Sequence, residues 1–444
     1  MKQKFFFTLL LLVGVNTLIF AQQTASEWFE IGVSKSRTGD YIGALTSFSQ
    51  AIAMNSDNAA SFYNRGLAKA QLKDQRGAIL DFDKCLDLNP RQADAFLYRG
   101  MSKVAQDDNR GALQDFNRAI ELNPDDALGY LKRGTVRAKM NDFKKAISDY
   151  SKVSDIDPTN YEAFASRGVC KQKIEDFQGS IGDFSKSIEI NTKRAQSYAS
   201  RGFSKLKMND FTGAIQDFNK SVELNPNDSD SFLNRGLARS KTEDYRGALN
   251  DYEKAIQVNP ENYQAFYGRG FCRSKLGDQR DAIKDFDQAV TINNASNDAK
   301  VVFSTKLSRT VLDELRNQVQ DRSRVSDFTD ERSEAFFSRG ISKAKIGDAK
   351  GGIIDLNRSI ELNPTYAEAY FMRGMVRSSI NFQKEAVLDC SNAIKLNPKY
   401  AEAYYVRGLI KQALGDENGG CVDLSRAGEL GYASSYNAIR EYCN

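Results

Sequence analysis

Residues Ala59–Gln92 read AASFYNRGLAKAQLKDQRGAILDFDKCLDLNPRQ. Two apolar patterns sit in this stretch, and both have helical spacing. Phe62, Gly66 and Ala68 line one face of a first helix; Ala78, Ile79, Phe82, Cys85, Leu86 and Leu88 line a second. Between them, Lys73 and Asp74 mark a turn, and the Asp74 carboxylate suits the N-cap of the helix that follows. Asn89-Pro90 then ends that helix, because the residue before a proline is pushed out of the α region. The stretch is a helical hairpin.

The hairpin repeats along the chain. Arg-Gly recurs every 34 residues from Arg65-Gly66 to Arg269-Gly270, and again from Arg339-Gly340 to Arg407-Gly408 after one interval of 70. All seven prolines, from Pro90 to Pro398, keep the same phase. With this glycine as position 8 and the proline as position 32, eleven regular repeats result, the first at 25–58 and the last at 401–434. A fixed period of this length is the mark of a stacked array.

The pattern of aromatic-4, Gly-8, Ala-20, Phe-24, Ala-27 and Pro-32 resembles the tetratricopeptide repeat, and Trp28 falls at position 4, where that family often has tryptophan. The resemblance implies an all-α fold, a right-handed superhelical solenoid of stacked helix-turn-helix repeats. The period is too short for Sel1-like repeats, and the charge balance disfavours RNA-reading pentatricopeptide repeats. Expected boundaries are a signal peptide at 1–21, eight repeats over 25–296, an irregular insert or degenerate repeat at 297–332, three repeats over 333–434, and a capping helix at 435–444.

Position 7 is arginine and position 23 aspartate in ten repeats, and the first repeat loses both at once, with Ile31 and Ser47. Position 11 is Lys or Arg in all eleven. Joint loss suggests Arg–Asp pairing within a repeat or between neighbours; a basic rail for an anionic ligand is the other reading. In the interrupted interval Phe303, Leu307, Val311, Leu315 and Val319 recur every four residues, which reads as one helix near 297–320 and then a polar connector. A decayed repeat stacked in line and a joint between two blocks both fit.

Composition removes much of catalysis. There is no histidine, which excludes Ser-His-Asp and Cys-His arrangements and every metal site needing an imidazole. No catalytic, cofactor-binding or metal-ligating residue stands out from the period, and no enzyme, cofactor or metal is expected. The formal charge is +4, and loss of Lys2 and Lys4 with a signal peptide leaves +2, too even for a nucleic-acid partner. Lys2 and Lys4 precede a mostly apolar stretch, Phe5 to Phe20, ending at Ala21. That stretch suits a secretory signal cleaved after Ala21; an uncleaved anchor is the alternative. Export to a periplasmic or extracellular space follows, with no stable membrane insertion after cleavage.

The resemblance also implies a concave wall built from first-helix positions 2, 5, 9, 12 and 13, where the family binds extended peptides or protein surfaces. Here the candidate partner-binding residues are apolar Val169, Phe203, Leu233, Leu237, Tyr267 and Phe271, with Lys139, Lys173, Lys207, Lys241 and Lys275 beside them. The lysines favour acidic residues on a protein or peptide partner. Packing between successive first helices is the other reading of the apolar positions. The family's chaperone-tail clamp is missing. The function expected is that of an exported noncatalytic scaffold or adaptor; an accessory or sensor subunit taking a small ligand or glycan fragment is the alternative. Cys85, Cys170, Cys272 and Cys390 fall at core positions, whereas Cys421 and Cys443 stand about equally far from the Gly431-Tyr432 turn on antiparallel helices. In an oxidising compartment these two are expected to form a disulfide.

Overall fold

The computed structural model describes residues 24–305 and 331–443, so the candidate signal peptide and most of the candidate insert lie outside the described residues. Every regular element among the described residues is a helix. No described helix is long and apolar enough to cross a membrane.

The chain divides into two compact units, 1–204 and 205–444. In chain order the helices begin with α1 Ala25–Arg37, α2 Tyr41–Met54, α3 Ala59–Gln71, α4 Gln75–Leu88, α5 Ala93–Ala105 and α6 Asn109–Leu122. They continue with α7 Ala127–Lys139, α8 Phe143–Ile156, α9 Tyr161–Lys173, α10 Phe177–Ile190 and α11 Ala195–Lys207. The later helices are α12 Phe211–Leu224, α13 Ser229–Lys241, α14 Tyr245–Val258, α15 Tyr263–Leu276, α16 Gln279–Thr305 and α17 Glu331–Lys345. The series closes with α18 Ala349–Leu362, α19 Ala367–Ser379, α20 Gln383–Leu396, α21 Ala401–Ala413, α22 Glu417–Glu429 and α23 Ser434–Tyr442. Within each unit the two helices of a repeat pack on each other and on the next repeat.

The turn works as one device. Position 15 takes positive φ throughout, from +59° at Asp107 to +96° at Gly277, which reverses the chain after the first helix. Asp at position 16 then caps the second helix: the Gly77 backbone N–H donates to Asp74 Oδ1 at 2.9 Å, and Gly111 to Asp108 likewise at 2.9 Å. A Cβ at Gly77 would stand 2.1 Å from Asp74 Oδ2, so glycine at position 19 keeps this cap short. Where position 19 is Lys145, the bond to Asp142 stretches to 3.4 Å. Phe382 replaces the capping aspartate in the tenth repeat, and α20 has no side-chain cap. Non-glycine residues in the left-handed region carry a steric cost of about 1–2 kcal/mol. Glu175, at φ +61°, is one of them. Glu175→Gly should therefore raise stability by about 0.5–1 kcal/mol, measured by urea denaturation, even after glycine's larger unfolded-state entropy is counted.

Glycine at position 8 sets the helix spacing. A Cβ at Gly100 would meet Phe116 Cε1 at 2.7 Å, and Phe116 is fully buried against it. The aromatic at position 24 thus fills the space that the missing side chain leaves.

The candidate insert interrupts the sequence but not the stack. The eighth repeat has Asn293-Asn294 in place of Asn-Pro, and α16 runs without a break through the expected boundary at 296 to Thr305. The ninth repeat nevertheless sits directly on the eighth. Arg339 Nη1 donates to Asp287 Oδ1 at 2.5 Å, the Tyr267 hydroxyl lies 3.4 Å from Ser338 Oγ, and Ser342 Oγ lies 3.4 Å from Ser274 Oγ. Among the described residues, α16 and α17 pack on each other directly.

Candidate partner-binding surface

The periodic cations are engaged before any ligand can reach them. Arg65 pairs with Asp81, Arg99 with Asp115, Arg235 with Asp251 and Arg407 with Asp423, at 2.5–2.7 Å. The arginine grips both carboxylate oxygens, Nε on one and Nη2 on the other at Asp115. The cation at position 11 takes the same carboxylate: Lys103 reaches Asp115 at 2.7 Å and Arg239 reaches Asp251 at 2.7 Å. These aspartates are buried, and Asp251 is wholly so. The remaining Nη1 crosses to position 25 of the preceding repeat, as from Arg99 to Asp83 at 2.6 Å and from Arg133 to Asn117 at 2.8 Å. The arginine also stacks on the position-4 ring, with Arg99 5.3 Å from the centroid of Phe96. Pairing is therefore within a repeat, and the arginine links that pair to the neighbouring repeat. The geometry supports the lattice reading over the basic rail.

The nominated wall residues divide into packed and exposed sets. In the first unit Val169 is 42% exposed, Lys139 and Lys173 are exposed, and Phe203 is half-buried. Lys139 reaches across one repeat to Asp107 at 2.8 Å. In the second unit Leu237 is 37% exposed, and Lys207, Lys241 and Lys275 are exposed. Leu233 and Phe271 instead pack on the cluster of Phe232, Tyr252, Ala265 and Cys272. The Phe271 ring lies 6.4 Å from that of Tyr245, with Lys275 Nζ 5.5 Å above it. Tyr267 is half-buried, 5.7 Å from the Phe286 ring. Position 5 thus serves packing, and position 9 divides: Phe271 packs, whereas Val169 and Leu237 leave aliphatic surface open beside the lysines. The Asp107 partner of Lys139 was missed in the sequence, although its place one repeat back at the turn was available from the period.

The cysteines separate as their positions suggest. Cys85, Cys170, Cys272 and Cys390 are buried free thiols. Burial pushes Cys85 and Cys170 up to about 11, and Cys272 and Cys390 up to about 12. Ordinary thiols ionise near 9.0, so in that interval the folded state holds protons that the unfolded state has lost. Stability should fall as pH climbs from about 9 toward 11–12, and native protein at neutral pH should resist iodoacetamide at all four sites until it is unfolded. Mass spectrometry of alkylated digests checks the second expectation. Cys421 and Cys443 are bonded, with their Cα atoms 5.6 Å apart, and join α22 to the end of α23.

Family models for the tetratricopeptide repeat match residues 29–93, 97–161, 195–228, 229–262 and 263–296, together more than half of the chain. The chain belongs to the tetratricopeptide repeat family. No curated protein sequence matches it. Among solved structures, it is similar to a MamA protein, at 26% identity and TM-score 0.36, over 39% of this chain and 94% of that one. It is also similar to a tetratricopeptide repeat protein from Parabacteroides merdae, at 17% identity and TM-score 0.41, over 56% and 98%. YrrB, whose structure is described as that of a protein with an unusual peptide-binding site, matches at 21% identity and TM-score 0.40, over 42% and 97%.

Proposed function

We propose that the chain is an exported, noncatalytic scaffold or adaptor that holds a protein segment against the wall formed by its first helices. The observation that carries this reading is the pairing, at first-helix positions 9 and 13, of exposed aliphatic side chains with exposed lysines. Leu237 with Lys241 and Val169 with Lys173 are the instances, while the arginines and lysines at positions 7 and 11 are bound to aspartates. Aliphatic anchors flanked by cations suit an extended segment carrying acidic residues, and peptide and protein binding is the work that repeats of this family generally do. Export rests on the segment from Lys2 to Ala21.

A crosslinking pull-down from the native cell envelope supplies the partner, and four variants then place it. Leu237→Ser and Lys241→Glu should weaken binding with melting unchanged, the lysine change acting mainly on association rate and its salt dependence. Phe203→Ala and Phe271→Ala should lower melting as well, since both residues are half-buried. If Leu237→Ser and Lys241→Glu leave binding intact, the wall is not the site. N-terminal sequencing of the mature protein should begin at Gln22; an intact Met1 in a membrane fraction would overturn export by cleavage.

A further inference from the structure

The second helices of the last three repeats each carry an exposed aliphatic side chain at position 22, which before them occurs singly, at Leu80 of the second repeat, 67% exposed. At position 22 the third to eighth repeats carry Gln114, Ser148, Gly182, Gln216, Asn250 and Lys284. The ninth to eleventh carry Ile354, Leu388 and Val422, which are 66%, 64% and 70% exposed. Single exposed aliphatics need no explanation, but three in register on consecutive repeats form a row. One turn away on either side, at the i−4 and i+4 positions, stand Lys350, Arg358, Lys384, Asn392, Asn418 and Arg426, with no carboxylate among them. Arg358 and Arg426 are paired with Glu361 and Glu429, whereas Lys350 and Lys384 make no ion pair among the described residues.

A second irregularity adjoins this row. Phe382, which replaces the capping aspartate, is 51% exposed. With Ile380, Lys350 and the turn Gly347-Asp348-Ala349 it lines a cleft of about 400 Å³. Lys350 belongs to both features, being four residues before Ile354 on α18. The cleft and the row therefore form one surface, with an aromatic hollow at one edge and an aliphatic ridge crossing three repeats.

We propose that this solvent face of α18, α20 and α22 is a second docking surface, separate from the first-helix wall, for an acidic amphipathic segment of another protein. Aliphatic side chains of the segment would lie on Ile354, Leu388 and Val422, an apolar side chain would enter the cleft beside Phe382, and carboxylates would meet Lys350 and Lys384. A narrow ridge with a concave end suits a peptide better than a bilayer. A symmetric second copy would bring like lysines toward each other. Several of the third to eighth repeats carry cationic residues at positions 18 and 26, as Arg110 and Arg118 show, but have a polar residue or glycine at position 22, and Leu80 of the second repeat has no aliphatic neighbour in register. They mark the aliphatic row as the distinguishing feature.

The test uses the full chain and a fluorescein-labelled amphipathic helical peptide with a leucine stripe flanked by glutamates, read by fluorescence anisotropy. A twin peptide has lysines in place of the glutamates. The triple variant Ile354→Gln, Leu388→Ser, Val422→Asn uses side chains that earlier repeats already carry at this position, so melting should be unchanged. It should bind the acidic peptide at least about tenfold more weakly than the natural chain. Measured in a Leu237→Ser background, which removes the first-helix wall as a competing site, Lys350→Glu with Lys384→Glu should reverse the preference between the twins. Equal binding by the triple variant and the natural chain, or no preference for the acidic twin, overturns the proposal. So does sedimentation showing a dimer that the triple variant dissolves, or binding to phosphatidylglycerol vesicles that this variant abolishes with no peptide binding.

Discussion

Asp251→Ala should cost the protein roughly 3 kcal/mol or more, the largest loss expected from any single truncation in the ion-pair lattice. The Asp251 side chain is fully buried and accepts from Arg235 Nη2 at 2.5 Å and from Arg239 Nη1 at 2.7 Å. Its removal leaves two largely buried guanidinium groups facing each other without a counter-charge. Arg235→Ala should cost less, because Arg239 still neutralises the carboxylate. The double variant should cost clearly less than the sum of the two singles, since the second truncation removes a charge that the first left unpaired. Exposed pairs supply the contrast. Lys186 and Glu189 meet at 2.8 Å with more than half of each side chain in water, and breaking that pair should cost about 0–1 kcal/mol. Urea unfolding of the four proteins of the cycle decides the matter. Additive losses would mean that Arg235 and Asp251 do not interact energetically.

Loss of the Cys421–Cys443 disulfide is the second large expected effect. The bond closes a loop with a sequence separation of 22, which on the chain-entropy estimate stabilises by about 3 kcal/mol. In a stacked array each repeat contacts only its neighbours, so that loss should stay local. Cys443→Ser should loosen α23 and the adjoining part of α22, and leave hydrogen exchange in α3 and α4 unchanged. Exchange measured by mass spectrometry, with and without reductant, reads this directly. Protection of α23 that survives the substitution would mean that packing of Ala438 and Ser435, both buried, holds the helix unaided. Free thiols at both positions in protein recovered from an oxidising compartment would remove the disulfide altogether.

The repeat unit was legible in residues 59–92 because each helix needs its own apolar stripe and each turn its own punctuation. Gly66, Asp74 and Pro90 announce close approach, cap and stop, and the structure uses them in those roles. Arg65 and Asp81 were legible as partners through their joint absence from the first repeat, though not the direction of the pairing. The exposed row at Ile354, Leu388 and Val422 escaped attention because periodicity alone does not tell an aliphatic residue on the water side of a helix from one on the core side. The interruption was legible as a break in the period, but not how the repeats on either side of it meet. A missing proline shows that a helix has no stop, but not which earlier repeat the next one packs on.

By itself the sequence determined the all-helical fold, the register of the repeats and the residues at each turn, since these depend on contacts within about 34 residues of chain and are repeated many times over. Tertiary structure alone decided which charges remain available and which aliphatic side chains meet water. Arg99 is drawn to Asp115 of its own repeat and Asp83 of the one before, Leu233 turns into the core, and Leu237, four residues on, stays open. The ninth repeat seats on the eighth because Arg339 finds Asp287 across 52 residues of sequence. Such choices depend on side chains from different repeats competing for the same space and the same charge, and no single repeat contains that information.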